Sequence, residues 1–184
     1  MMDLKERDAL GDQVDRHWYY VSKARMAVKH LPRSTREILD VGAGLGWFSR
    51  WMVLNGYAGQ AVCVDPGYDA ELEETVKGGA ILYRCSVNEV TADVVLMMDV
   101  LEHVDDDAAL LRHYWHMAAP GTVFLITVPA FSFLWSAHDD YLEHRRRYTL
   151  STLDDTVRRA GAVPEALHYY FGLIFPLAAV VRLA

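Results

Sequence analysis

Ile38-Leu39-Asp40-Val41-Gly42-Ala43-Gly44-Leu45-Gly46-Trp47-Phe48 is the stretch that decides how this chain folds. A short, mostly apolar run (38–41) stops at a loop with glycine at alternate positions. Phe48, Trp51 and Met52 then recur at helical spacing, and Gly56 stands in the usual position past a helix end. Gly42, Gly44 and Gly46 let the backbone turn tightly and approach a ligand with no Cβ in the way. A bland tight turn is the competing reading, and dinucleotide-binding folds use a glycine loop too. The spacing separates these cases. A G-x-G-x-x-G loop puts its third glycine at position 47, where this sequence has Trp47. The pattern here is Asp-x-Gly-x-Gly-x-Gly, with the acidic Asp40 just before the loop.

Outward from the loop, apolar runs alternate with helical patterns. Residues 12–31 read as a helix with His17, Trp18, Tyr20 and Met26 among its bulky positions, ended by Pro32. Residues 61–64 read as a second strand ending at Asp65-Pro66. A short helix is expected over 70–77, stopped by Gly78-Gly79. Residues 81–85 and 93–98 read as strands three and four, the latter ending at Asp99. A helix over 105–118 carries the stripe Leu111, Tyr114, Trp115 and Ala118, and 122–128 is the fifth strand. Nearly unbroken apolar strands alternating with helices predict a parallel sheet covered on both faces. Such sheets bind ligands at the carboxyl ends of their strands, where Asp40, Asp65 and Asp99 fall.

Composition narrows the function classes. The 184 residues fit a single domain over 1–184, large enough for a continuous core. Within it, 1–34 reads as a helical cap and 35–129 as a ligand-binding core. Residues 130–184 read as a loop, a helix, a sixth strand and an apolar tail. A net charge of -7 argues against a nucleic-acid surface, which needs clustered positive charge, and the short run Arg145-Arg146-Arg147 does not supply it. Cys63 and Cys85 fall in apolar, strand-like segments and read as buried thiols in a reducing cytoplasm. The first ten residues lack a signal peptide's apolar stretch, so a cytoplasmic protein is expected. In residues 169–184 the only charge is Arg182, yet Pro176 interrupts the run and it is shorter than the ~20 residues of a membrane span. That tail reads as a buried or inner-membrane-surface segment, with 171–183 packing on a partner subunit, a membrane surface or an apolar substrate.

Residues 40–46 resemble motif I of class I S-adenosylmethionine-dependent methyltransferases. The resemblance implies a Rossmann-like three-layer α/β sandwich in which Asp40, Gly42, Ala43, Gly44 and Gly46 cradle the methionine part of S-adenosylmethionine. Asp65, followed by Pro66, matches the acidic residue that in this family accepts both ribose hydroxyls; a plain helix N-cap is the alternative. Where the family often has an acidic or polar residue for the adenine amine, this chain has Ser86, beside Val87 and Asn88. "ADVVLMMDVLEHV" (92–104) resembles the fourth-strand motif, which implies that Asp99, Val100 and Leu101 lie near the methionine moiety and its methyl group. "VPAFSFLWSAHDDYLEHRRRY" (128–148) and "HWYYVSKAR" (17–25) are similar to a methyltransferase type 11/12-like subgroup, so the resemblance covers nearly the whole chain. The family usually has seven strands. Here Thr149 or Ser151 is expected to cap a helix running to Ala160, with Gly161 at its end, and 163–170 to supply strand six. No seventh strand is visible.

The transfer itself is an in-line displacement at a sulfonium, so holding the acceptor at the methyl carbon does most of the work. If the acceptor is a hydroxyl, a base is useful. His138 and His144 are candidates, with Asp139 or Asp140 to orient one of them, and His103 is a third that equally reads as packing at a helix start. Arg145–Arg147 can pair with an acidic substrate group or with Asp139, Asp140 and Glu143, as in an internally salt-bridged lid. The spacing of His138, Asp139, Asp140 and His144 matches no zinc pattern, and no metal is expected. The aromatic residues Trp18, Tyr19, Tyr20, Phe131, Phe133 and Trp135 favour a small or lipid-like acceptor, phenolic in one version, unless they are simply core. A catalytically degenerate module working through protein or membrane contacts is the alternative, and an oxidoreductase is disfavoured by Trp47.

Overall fold

The apolar runs become strands because each has both faces to bury. In the computed structural model, which describes residues 16–172, 175, 176 and 180, the chain groups into two compact units. Unit one comprises Met1–Met98 with Met117–Thr127, and unit two comprises Asp99–His116 with Val128–Ala184.

Unit one carries a six-stranded sheet of β1 (Glu37–Val41), β2 (Gln60–Val64), β3 (Leu72–Val76), β4 (Gly79–Arg84), β5 (Val94–Met98) and β6 (Val123–Thr127). Their order is β3-β4-β2-β1-β5-β6, and every neighbouring pair is parallel except β3 with β4. This is the expected mainly parallel, Rossmann-like α/β arrangement. All of β5 and nearly all of β1 are buried, as the absence of polar alternation foretells for central strands. Helices α1 (Trp18–Ala27) and α2 (Trp47–Leu54) bring Tyr20, Ala24, Phe48 and Met52 onto Ile38, Ala61, Ile81, Val94 and Leu96 in one core. Burying each of the larger side chains contributes about 1.5–3 kcal/mol. Val41 pairs with Val64 and Asp40 with Leu96, so the residues following β1 and β2 emerge together at one end of the sheet.

Residues 72–76 are a strand, where a helix over 70–77 was expected. Thr75 and Val76 are β-branched, and Lys77-Gly78 forms a two-residue turn with Gly78 at φ +101° that folds β3 antiparallel onto β4. Gly79 is equally constrained, because a Cβ there would lie 1.7 Å from the Gly59 carbonyl oxygen. The glycine pair is thus a hairpin corner and a close backbone approach, where a helix stop was expected. Glu73 and Glu74 put charge on the outer strand, and Arg50 of α2 pairs with Glu74. Cys63 is buried, as expected, but Cys85 is exposed, because β4 ends at Arg84 and the chain turns outward there.

Unit two begins with Asp99 and a 3-10 turn at Leu101–His103, followed by α3 (Asp107–Met117), whose final residue belongs to unit one. A 3-10 turn at Ser132–Leu134, α4 (Ala137–Tyr141) and α5 (Leu150–Arg159) complete it. Thr149, not Ser151, caps α5, accepting the Thr152 N–H at 3.2 Å, and Gly161 follows at φ +92°. Buried Asp107 fastens the start of α3 to α5. It accepts from Tyr148 (2.9 Å), Thr156 (3.1 Å) and Arg159 (3.1 Å).

Residues 163–170 do not form the expected sixth family strand; they adopt neither helix nor strand. Pro164 has no N–H to donate to a ladder, and Val163 is 73% exposed. Tyr169 holds the segment instead, its hydroxyl accepting the Leu150 N–H at 3.2 Å and its ring lying 4.7 Å from Phe131. Most of the apolar face expected over 171–183 lies outside the described residues, as do positions 12–15 of the first helix. Among the described residues no helix is long and apolar enough to cross a membrane.

Candidate functional site

Unit one turns the loop after β1 into a backbone cradle. The Gly42 and Ala43 N–H groups both donate to the Val64 carbonyl, at 2.8 and 3.2 Å, which locks the loop start to the end of β2. Gly44 and Gly46 hold φ of +54° and +68°, a left-handed conformation that costs other residues roughly 1–2 kcal/mol. At Gly46 there is no room either: a Cβ would sit 2.9 Å from Cys63 Sγ and 3.0 Å from Tyr83 Cε1.

Asp65, only 2% exposed, spans the loop from beneath. Its Oδ2 accepts the Gly44 N–H at 3.1 Å and its Oδ1 the Gly67 N–H at 2.8 Å. Each carboxylate oxygen has a second lone pair, so two adjacent hydroxyls of a ligand can still be accepted side by side. The sequence reading missed two supports. Ser49 donates to Asp40 Oδ2 at 2.6 Å from the first turn of α2, and Tyr68 donates to the Gly44 carbonyl at 2.6 Å. Burial, with Cys63, Asp40 and Asp65 nearby, pushes the Tyr68 phenol far up, so it stays a donor. Burial and Asp40 likewise raise the Cys63 thiol, which is therefore inert. Pro66 and Ser86 are exposed and Val87 half-buried where the chain leaves β2 and β4, the Asp65 N–H donating to Arg84 at 3.2 Å. Ser49 was detectable as a hydroxyl nine positions after Asp40; Tyr68 had no sequence signal.

Unit two is assembled from side chains. Asp99 follows β5 at φ +58°, buried, in a conformation that Asp tolerates better than most residues; Val100 and Leu101 after it are buried. Asp139 is fully buried and grips Arg147 with both oxygens, Nε to Oδ1 at 2.7 Å and Nη2 to Oδ2 at 3.0 Å. Arg147 also donates to the Ala130 carbonyl at 2.9 Å, and the Ser136 N–H and hydroxyl donate to Asp139. Burial alone would raise the Asp139 carboxyl, but hydrogen bonds from Arg147 and His144 hold it well below the usual range.

His144 Nδ1 lies 2.9 Å from Asp139 Oδ1, and its ring meets that of His103 edge-on at 4.8 Å between centroids. Burial and the His144 neighbour push His103 down to about 4, so it is neutral at pH 7. The Nε2 atoms of both rings are buried and have no hydrogen-bond partner among the described residues. Arg145 and Arg146 bind the preceding turn: Arg145 donates to the His103 carbonyl (2.8 Å) and pairs with Asp105, and Arg146 donates to the Val104 and Asp105 carbonyls. Of the three candidate bases, the structure thus brings His103 and His144 together, Asp139 orients the second, and His138 is exposed on α4. The fully buried Glu102, which the sequence reading passed over, stands with them. Tyr20 is core, whereas Phe131, Phe133, Tyr169 and Phe175 form a partly exposed aromatic group in unit two.

A family model described as a methyltransferase domain matches residues 15–167. A ubiquinone biosynthesis O-methyltransferase of Azotobacter vinelandii is 33% identical over 110 residues, covering 54% of this chain and 47% of that protein. The mitochondrial counterpart of Saccharomyces cerevisiae is 31% identical over 104 residues, covering 50% of this chain and 33% of that protein. The chain therefore spans half or less of the length of these curated relatives. Among solved structures, an O-methyltransferase family protein from Burkholderia thailandensis superposes with a TM-score of 0.63 at 19% identity, covering 90% of this chain and 57% of that one. At that identity the likeness is one of fold.

Proposed function

The chain belongs to the methyltransferase domain family of class I S-adenosylmethionine-dependent enzymes, and from that premise we propose that it methylates an oxygen of a small, ring-bearing or lipid-like acceptor. The observation that carries the cofactor reading is the left-handed glycine loop whose Gly44 N–H is tied to Asp65. In this reading Asp40, Gly42, Ala43, Gly44 and Gly46 hold the methionine end of S-adenosylmethionine. Asp65, with Pro66 after it, takes the ribose hydroxyls, and Ser86 and Val87 border the adenine. Asp99, Val100 and Leu101 attend the methionine moiety and the methyl group.

The oxygen acceptor is supported by the O-methyltransferase relatives, and its apolar character by the exposed Phe133 and its aromatic neighbours. An oxygen lone pair attacks the methyl carbon, the carbon–sulfur bond breaks with its electrons going to sulfur, and S-adenosylhomocysteine is the product. Orientation supplies most of the acceleration. The hydroxyl must also lose a proton, and His103 and His144 are the groups we assign to that task. Their Nε2 lone pairs are where a proton, or a cation acting in its place, can be held.

Calorimetry on the full chain tests the reading. S-adenosylmethionine and S-adenosylhomocysteine are expected to bind in the micromolar range and NAD not at all. Binding of NAD alone, or of none of the three, overturns it. With cofactor binding established, a screen of phenols, catechols, amines and lipid extracts names the acceptor, and methylation confined to amines removes the oxygen assignment.

A further inference from the structure

The arrangement around His144 is more elaborate than a lone base requires. One ring nitrogen each of His103 and His144 and one carboxylate oxygen of Glu102 lie within 4.8 Å of one another. His144 Nδ1 is taken by Asp139, so Nε2 is its available donor, and that atom is buried with no hydrogen-bond partner among the described residues. His103 Nε2 is in the same condition, and Glu102 is fully buried. The His144 side chain is only 5% exposed.

We propose that Glu102, His103 and His144 form a binding site for a divalent transition-metal cation, with Asp139 as the residue that positions His144. Two features converge on a cation rather than a water-filled gap. Two imidazole nitrogens and one carboxylate oxygen are a donor set suited to zinc, manganese or iron, in which the imidazoles disfavour magnesium and calcium. A carboxylate that holds the far nitrogen of a ligand histidine fixes its tautomer and leaves the near lone pair for the metal. Here that carboxylate is itself held by Arg147 and Ser136, so the donor is oriented before any cation arrives.

Ligands of one metal with bonds of about 2.0–2.2 Å stand within roughly 4.4 Å of each other, so the 4.8 Å spread closes with a small side-chain rotation. Three protein ligands leave further positions open, which is the pattern of a catalytic rather than a structural site.

The consequence for chemistry rests on the methyl-transfer reading above. An acceptor hydroxyl bound through its oxygen to the cation loses its proton to water more readily, as metal-bound water does. Acceptors with two adjacent oxygens are favoured, because both can occupy open positions.

The test uses the full chain, dialysed against chelator and titrated with Co²⁺, Zn²⁺ and Mn²⁺ by calorimetry, with visible absorption followed for Co²⁺. One equivalent of Co²⁺ is expected, with absorption bands of a histidine-bound ion. His144→Ala and Glu102→Gln are expected to abolish stoichiometric binding, and Asp139→Asn to weaken it about 10- to 100-fold. S-adenosylhomocysteine binding and circular dichroism, measured on the same samples, report whether each variant is folded. Absence of stoichiometric binding by the unsubstituted chain overturns the proposal, whether or not any variant folds. So does binding that survives in folded His144→Ala. Metal binding without S-adenosylhomocysteine binding would leave this site standing and sink the methyl-transfer reading; the reverse result would do the opposite.

Discussion

The glycine cradle of unit one and the histidine cluster of unit two reach rigidity by opposite routes. The cradle itself is backbone, and side chains brace it: Asp65 on the Gly44 N–H, Tyr68 on its carbonyl, Ser49 on Asp40. The cluster is built of side-chain atoms, and backbone carbonyls brace it: Arg145 and Arg146 grip the carbonyls of residues 103–105, and Arg147 that of Ala130. The first arrangement is vulnerable to added volume and to a lost left-handed turn. The second is vulnerable to a charge left buried without its partner. These are different failures with different magnitudes, and substitutions can tell them apart.

The largest effect is expected at Arg147. Removing it strands the fully buried Asp139, and Arg147→Met should cost about 3–5 kcal/mol in urea unfolding. Changing Asp139→Leu in the same chain should restore most of that loss. A single-variant cost below about 1 kcal/mol would mean that the cluster is not held by paired burial, and the contrast with the cradle would collapse.

Next comes Gly46→Ala. Left-handed strain of roughly 1–2 kcal/mol adds to crowding against Cys63 and Tyr83, for a total of about 2–3 kcal/mol. S-adenosylhomocysteine affinity should fall at least about tenfold with it, and calorimetry beside thermal unfolding would show whether the two losses travel together. Full affinity in a destabilised Gly46→Ala chain would divorce the loop's conformation from its binding role.

The smallest expected effect is a slope at Asp107. Hydrogen bonds from Tyr148 and Thr156, with Arg146 and Arg159 facing it, lower this carboxyl despite its burial. A carboxyl lowered in the folded state contributes stability that is complete above its unfolded value near 3.9 and drains away as pH falls through the folded value. Arg159 is 59% exposed, so solvent screens part of the effect. Urea midpoints measured from pH 6 down to 3 should decline less steeply in Asp107→Asn than in the unsubstituted chain. Equal slopes would show that Asp107 is held by packing alone.

The same contrast explains what could be read from the residues in order. The cradle is contiguous: Asp40 to Gly46 lie in one loop, and the apolar strands that aim it announce themselves by having no polar alternation. Hence the parallel sheet and the loop were legible. The outer strand at Leu72–Val76 was not, because Glu71, Glu73 and Glu74 imitate an exposed helix and only the backbone pairing to β4 decides otherwise. The strand expected over 163–170 failed at Pro164. In the cluster, the orientation of His144 by Asp139 and the pairing of Arg147 with Asp139 were within reach of sequence because they are local. The meeting of His144 with Glu102 and His103 was not. Those segments are far apart in the chain, and packing alone brings them together.

The corner between β3 and β4 sets a practical boundary for protein engineering. Lys77 and Gly78 are exposed, so a reporter peptide spliced between them would lengthen a surface turn and leave the β4 ladder in register. One residue later the tolerance ends. Any side chain at Gly79 runs into the Gly59 carbonyl and would prise β4 from β2, the strand that Asp65 follows. A labelled version of this protein is best opened at that turn, with the hairpin serving as a handle that leaves the glycine loop after β1 untouched.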